Sequence, residues 1–298
     1  MSQSVSPRVL PDPIAVAELL KPITWFPPMW AFTCGVIASG IELSSHWGII
    51  LFGLILTGPL VCATSQAVND WYDREVDAIN EPQRPIPSGR IPGRWGLAIA
   101  VAWTGLSLIV ATALGRWGFA ATVLALLLAW AYSMPPLRLK QNGWWGNAAC
   151  GLSYESLAWI TGSAVMMGGV LPSSESMLLA LMYGLGAHGI MTLNDFKSVA
   201  GDTQTGVRSL PVQLGVVRAA RLACWTMTLP QVMVIAMVWS WDAAAHSMAI
   251  LGLLIAQVIL MRWFMQSPSE RALQYSGFGV PIYVSGMMVS AFALRVTS

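Results

Sequence analysis

The chain is built from runs of about 20 apolar residues, the length a helix needs to cross a bilayer. Such runs fall at 25–41, 47–68, 95–115, 117–134, 147–170, 177–194, 222–240, 247–264 and 275–294. In hydrocarbon, backbone N–H and C=O groups have no water to bond, so these stretches are committed to helix. Composition agrees: 55% of the 298 residues are hydrophobic and 10% are charged, against roughly 25% charged in soluble domains. The expectation is an all-α, polytopic protein of nine transmembrane helices in the lipid bilayer. A net charge of +2 is too small to suggest a nucleic-acid partner.

The polar connections alternate in length. Those at 42–46, 115–116, 171–176 and 241–246 are short; those at 69–94, 135–146, 195–221 and 265–274 are longer. Arg8 and Lys21 precede the first span, and nearly all other Lys and Arg fall in or beside the longer connections. Arg116 and Arg295 alone lie on the opposite side. The positive-inside rule therefore puts the N-terminus and the long loops in the cytoplasm and Ser298 in the periplasm. Residues 1–24 carry Pro7, Pro11 and Pro13 without the apolar core of a signal peptide. They read as a cytoplasmic segment of a bacterial chain inserted by its own helices, with 25–298 as a single membrane domain. Cys34, Cys62, Cys150 and Cys224 are far apart in apolar surroundings and read as small buried hydrophobes.

Acids gather on the cytoplasmic side. Asp70, Asp73 and Asp77 follow Asn69, and offsets of three and seven keep the three carboxylates on one helix face, with Asn69 at its edge. Like charges in one stripe repel, so something positive is expected against them. Magnesium, which takes one or two carboxylates together with substrate phosphates, fits such oxygens. A second Asn-Asp pair, Asn194-Asp195, closes the sixth span, and Asp202 lies seven residues on, a spacing that also reads as one helix face. Lys197 and Arg208 are expected to converge there. Arg84 and Arg90 lie in the first long loop, and Arg138 and Lys140 in the second. Two carboxylate clusters with several cations suit a diphosphate held through two Mg2+ ions. If it carried a long apolar chain, its tail would lie in the membrane, as for an allylic prenyl diphosphate. Two ionisable groups sit inside spans: Glu155, either functional or a protonated acid paired with Tyr154 or a Ser, and His188, either functional or hydrogen-bonded in the core.

The run Asn69 to Asp77 matches the N-D-x-x-D-x-x-x-D signature of UbiA-type intramembrane prenyltransferases. Its continuation through Asn80-Glu81-Pro82 to Arg84-Pro85-Ile86-Pro87-Ser88-Gly89 resembles the chlorophyll synthase branch. So do Tyr132-Ser133 with Pro135-Pro136-Leu137, Lys140-Gln141-Asn142-Gly143-Trp144, Asn194-Asp195-Phe196-Lys197-Ser198 and Lys21-Pro22-Ile23-Thr24-Trp25. The resemblance implies nine helices around a central cavity, capped by cytoplasmic acidic loops, and a Mg2+ cofactor. It implies catalytic roles for Asn69, Asp70, Asp73, Asp77, Asp195 and Asp202, with metal bound by the five aspartates. It leaves open which of the last two touches metal. Arg84, Arg90, Arg138, Lys140, Lys197 and Arg208 are expected on the diphosphate, and Trp25, Phe26, Tyr132, Glu155 and His188 around a pigment. The implied partners are geranylgeranyl or phytyl diphosphate and bacteriochlorophyllide, whose propionate is esterified in a photosynthetic inner membrane. The branch's bacteriochlorophyll-forming members are expected to carry Phe at the position of Phe26, and chlorophyll-forming members an aliphatic residue. Chlorophyllide, a quinone precursor or haem are alternative acceptors. A transporter is the alternative of another class, although it would place its charges within broken spans rather than at loop mouths.

Overall fold

The computed structural model describes residues 10–297, so Pro7, Arg8 and Ser298 lie outside the described residues. Among these the chain is helical, with no strand beyond one backbone bridge between Asn142 and Arg208. The helices are α1 (Pro13–Leu20), α2 (Phe26–Ala38), α3 (Trp47–Ile55), α4 (Ala63–Asn80), α5 (Trp95–Ala111), α6 (Gly115–Ser133), α7 (Gly143–Gly151) and α8 (Ala158–Met166). They continue with α9 (Ser174–Asp195), α10 (Val199–Thr205), α11 (Leu210–Leu214), α12 (Val216–Ser240), α13 (Ala244–Phe264) and α14 (Pro268–Thr297).

Each apolar run falls on helix, and the protein is a multi-pass membrane protein. Among the described residues, 6 helical stretches are long and apolar enough to cross a membrane. The number differs from the expected nine because Trp95–Ser133 joins two of the runs, Phe26–Ala38 is short, and the stretch made of α7, an irregular turn and α8 is less apolar, carrying Asn147 and Glu155. Two such turns are π-helical, Leu56–Cys62 between α3 and α4 and Leu152–Leu157 between α7 and α8. The first contains Pro59, which has no N–H to give to the ladder; its carbonyl accepts from Trp103 Nε1 at 3.1 Å.

Helix contacts are set by small residues. Gly35 on α2 and Gly162 on α8 let the two backbones meet: a Cβ on Gly35 would lie 2.0 Å from Trp159 O, and one on Gly162 2.1 Å from Phe32 O. Without a hydrophobic force between helices in lipid, such close approach supplies the packing energy. The larger core joins α2, α8, α9, α12, α13 and α14 around Trp159, Tyr183, Tyr275 and Tyr283. A smaller one holds Ala15, Leu19 and Leu20 of α1 against Ala63, Ala67 and Val68 of α4 and Ile99 and Ala100 of α5.

The long connections are shorter than expected because helix invades them. α4 continues through the acidic run to Asn80; cations beside its carboxylates relieve the repulsion that would otherwise unwind it. The 195–221 connection contains α10 and α11, and α14 begins at Pro268, inside the expected 265–274 loop.

Candidate active site

A cavity of about 860 Å³ opens among α2, α4, α6, α9, α14 and both π-helical turns. Its walls are mostly apolar, from side chains such as Leu128, Leu157, Ile190 and Val284. Its size lies within the range of roughly 300–1,000 Å³ typical of small-molecule sites. Asn69 and Asn194 line it. Each directly precedes an aspartate, so the cavity meets the acid clusters at two places, within α4 at Asn69 and at the end of α9 at Asn194.

The first cluster is laced with cations. Asp70, 2% exposed, accepts from Lys21 Nζ at 2.6 Å and stands 3.6 Å from Arg84 Nη1. Arg84 also donates to Asp77 at 2.9 Å and pairs with Glu81. Burial opposes its charge, but Asp70, Asp77 and Glu81 together raise the guanidinium above the usual arginine value. Asp73 is held by Lys140 and, at 3.4 Å, by Arg138. Burial lowers Lys140 from the ordinary lysine value, and Asp73 only partly restores it. The charge expected against the acidic stripe is therefore present, drawn from three separate segments. Asn69 Nδ2 donates to Ser133 Oγ at 3.2 Å.

Lys21 joins the cluster, although the sequence marks it only as a topology cation and as part of the Lys21-Pro22-Ile23-Thr24-Trp25 string, not among the expected diphosphate ligands. It arrives because α1 docks on α4 and α5, and the chain then turns sharply through Lys21 at φ 46°. The signal available was the apolar pattern Ala15, Leu19, Leu20 just ahead of it.

The second cluster differs from expectation. Asp195 and Asp202 do not share a helix face: α9 ends at Asp195, a turn through Phe196–Ser198 intervenes, and Asp202 lies on α10. The Ser198 hydroxyl donates to Asp202 Oδ2 at 2.9 Å and bonds the Asp195 carbonyl oxygen at 3.1 Å, so the serine fastens the turn that breaks the helix. Asp195 accepts from Asn147 Nδ2 at 3.2 Å. Arg208 contributes its backbone, accepting from Gly143 N and donating to Gln141 O, which ties this loop to the one bearing Lys140; its side chain is exposed, as is that of Lys197.

Three other expected residues stand apart. Arg90 pairs with Glu18 on α1 through two hydrogen bonds, at 2.8 and 2.6 Å, and so braces the N-terminal segment. Trp25 does not line the cavity; its Nε1 donates to Leu20 O at 2.8 Å. His188 packs against the Trp144 ring, centroids 5.9 Å apart, and is likewise absent from the cavity wall. Phe26, Tyr132 and Glu155 do line it. Phe26 is 59% exposed and leans on Trp30 with centroids 5.5 Å apart.

Carboxylate oxygens make the first cluster a donor set for a hard divalent cation, and buried Asp70 Oδ2 has no hydrogen-bond partner. Among the described residues no three acids, His or Cys side chains converge to hold an ion by themselves. A cation here would take further oxygens from its ligand, the habit of Mg2+ with phosphates. Arg138 Nε is also buried and unpartnered, a donor left for an anion.

Comparison with known proteins places this geometry. Residues 25–280 match the model of the UbiA prenyltransferase family. The chain is 54% identical over 292 residues to the bacteriochlorophyll synthase 33 kDa chain of Cereibacter sphaeroides, covering 98% of this chain and 96% of that one. It is 51% identical to the protein of the same description from Rhodobacter capsulatus, covering 99% and 98%. Its fold resembles the solved structure of a UbiA homolog from Archaeoglobus fulgidus bound to GPP and Mg2+, with a TM-score of 0.73 at 19% identity, over 95% of this chain and 99% of that one.

Proposed function

The chain belongs to the UbiA prenyltransferase family, and on that premise we propose that it esterifies the propionate of bacteriochlorophyllide with the geranylgeranyl or phytyl group of a prenyl diphosphate. The observation that carries this reading is the junction at Asn69 and Asn194, where an apolar cavity meets two clusters of aspartates. An apolar chain with a diphosphate at one end matches both halves. The relatives at 51% and 54% identity, both bacteriochlorophyll synthase chains, support the acceptor.

Mg2+ held by Asp70, Asp73 and Asp77 on one side and by Asp195 with Asp202 on the other would neutralise the diphosphate and help it leave. The chain's own cations do the rest of the binding. Lys21, Arg84, Arg138 and Lys140 are paired with Asp70, Asp73 and Asp77, and they turn to the phosphate oxygens when the diphosphate enters. Such charge-assisted contacts strengthen as negative charge builds on the leaving group. The bond between prenyl C1 and the diphosphate oxygen breaks, its electron pair departing with the diphosphate. A propionate oxygen forms the new bond to C1. Unperturbed carboxylic acids titrate near pH 4, so the propionate is already ionised and no base is needed. The apolar wall keeps water from the allylic cation.

Residues 25–298 act as one prenyltransferase domain in the intracytoplasmic photosynthetic membrane, with residues 1–24, the acid clusters and the long connections in the cytoplasm. A cysteine introduced at Pro87 should therefore react with an impermeant thiol reagent only from the cytoplasmic side; labelling from the periplasm would invert the topology.

Phe26 at the cavity wall sets the shape that a macrocycle meets. Phe26→Ile alters that shape without adding polarity, so stability should change little. The expected result is a shifted ratio of kcat/KM between bacteriochlorophyllide and chlorophyllide, with the prenyl diphosphate KM unchanged. An unchanged ratio would remove Phe26 from the pigment site.

The whole reading is tested by supplying purified protein with radiolabelled geranylgeranyl or phytyl diphosphate, Mg2+ and bacteriochlorophyllide. A labelled pigment ester with one diphosphate released per ester is expected; no pigment ester here, together with labelled product when a quinone precursor is supplied in its place, would replace the acceptor.

A further inference from the structure

Glu155 lies on the π-helical turn Leu152–Leu157, lines the cavity and is 4% exposed. Its Oε2 is buried without a hydrogen-bond partner. The neighbours that would make it a satisfied structural acid are occupied elsewhere. Tyr154 meets Ser65, Gln66 and Cys62 through its hydroxyl, and Ser156 donates to Ala180 O at 2.8 Å. Among the described residues no Lys or Arg lines the cavity. A carboxylate without a cation is costly in such surroundings; as the neutral acid the group has one O–H to donate and oxygens to accept. π-Helical turns within helices occur frequently at functional sites.

Depth narrows what it meets. Asn147, which holds Asp195, lies on the same helical rod, and Glu155 is roughly 12 Å further in at 1.5 Å per residue. A prenyl tail offers this acid nothing to bond and would leave it unpaired, at a cost. The pigment does offer something. On bacteriochlorophyllide the acetyl group sits on the side of the macrocycle remote from the propionate. With the propionate at the acid clusters, the acetyl group is carried inward. We infer that Glu155 donates a hydrogen bond to the acetyl carbonyl of bacteriochlorophyllide and thereby selects this pigment over a vinyl-bearing one. The inference rests on the acceptor proposed above.

The test is equilibrium binding to purified full-length protein, followed by pigment absorption, of bacteriochlorophyllide and of its counterpart carrying vinyl in place of acetyl. The wild type should bind the acetyl pigment about tenfold more tightly, the worth of one buried hydrogen bond. Glu155→Leu should bind both pigments equally, keep prenyl diphosphate affinity and melt no lower than the wild type. Glu155→Gln retains an N–H donor and should keep most of the preference. An undiminished preference in Glu155→Leu overturns the inference. So does equal binding of the two pigments by the wild type, a result that needs no variant to fold. Failure of the wild type to bind either pigment overturns the acceptor reading as well, which separates the two failures.

Discussion

Asp73→Ala should lower turnover by a factor of roughly a hundred or more, the usual cost of removing a group that stabilises charge in the transition state. Asp73 joins segments that meet only in space: α4 supplies the carboxylate, and the 135–142 connection supplies Lys140 and Arg138. Its removal deletes an oxygen donor for the cation and also releases Lys140 into a setting where burial already disfavours its charge. The side chain is 20% exposed, so the bundle should remain folded, and the melting temperature separates loss of chemistry from loss of structure. The measurement is kcat with both substrates and Mg2+ saturating. A near-normal value would take Asp73 out of the site.

The second large effect is on stability. Gly162→Ala adds one methyl group, but the added Cβ would lie 2.1 Å from Phe32 O. A backbone carbonyl cannot swing away as a side chain can, so α2 and α8 must separate. Overpacking of this kind costs about 3 kcal/mol. Gly105→Ala is the matched control, because nothing lies within 4 Å of a Cβ there and alanine favours helix by roughly 1 kcal/mol over glycine. Thermal unfolding in detergent should show a markedly lower midpoint for Gly162→Ala and an equal or higher one for Gly105→Ala. Equal midpoints would mean that α2 and α8 are not packed this closely.

The helical architecture was legible because hydrocarbon leaves the backbone little choice: long apolar runs must be helix. The carboxylate stripe was legible for a similar reason, since Asp70, Asp73 and Asp77 lie within one helix and their spacing fixes their face. What the sequence hid depends on contacts between distant segments. Arg84 and Arg90 lie in the same connection, yet the first joins Asp70 and Asp77 and the second is captured by Glu18. Lys21 reaches Asp70 only because α1 docks on α4. Asp195 and Asp202 read as one face because a spacing of seven does so on an unbroken helix, and nothing like Pro marks the turn that Ser198 fastens. The π-helical turn beneath Tyr154 and Glu155 carries no comparable sign. That turn brings Glu155 to the cavity wall, whereas His188, equally conspicuous in a span, packs against Trp144 instead.

The central claim is that a pigment carboxylate takes a prenyl group through the prenyl carbon. It is tested most directly with bacteriochlorophyllide carrying heavy oxygen at both propionate positions. Prenyl transfer should leave both labelled oxygens in the ester and none in the released diphosphate. Loss of one label from the ester would mean that the acyl carbon, not the prenyl carbon, is the centre attacked, and would contradict the account.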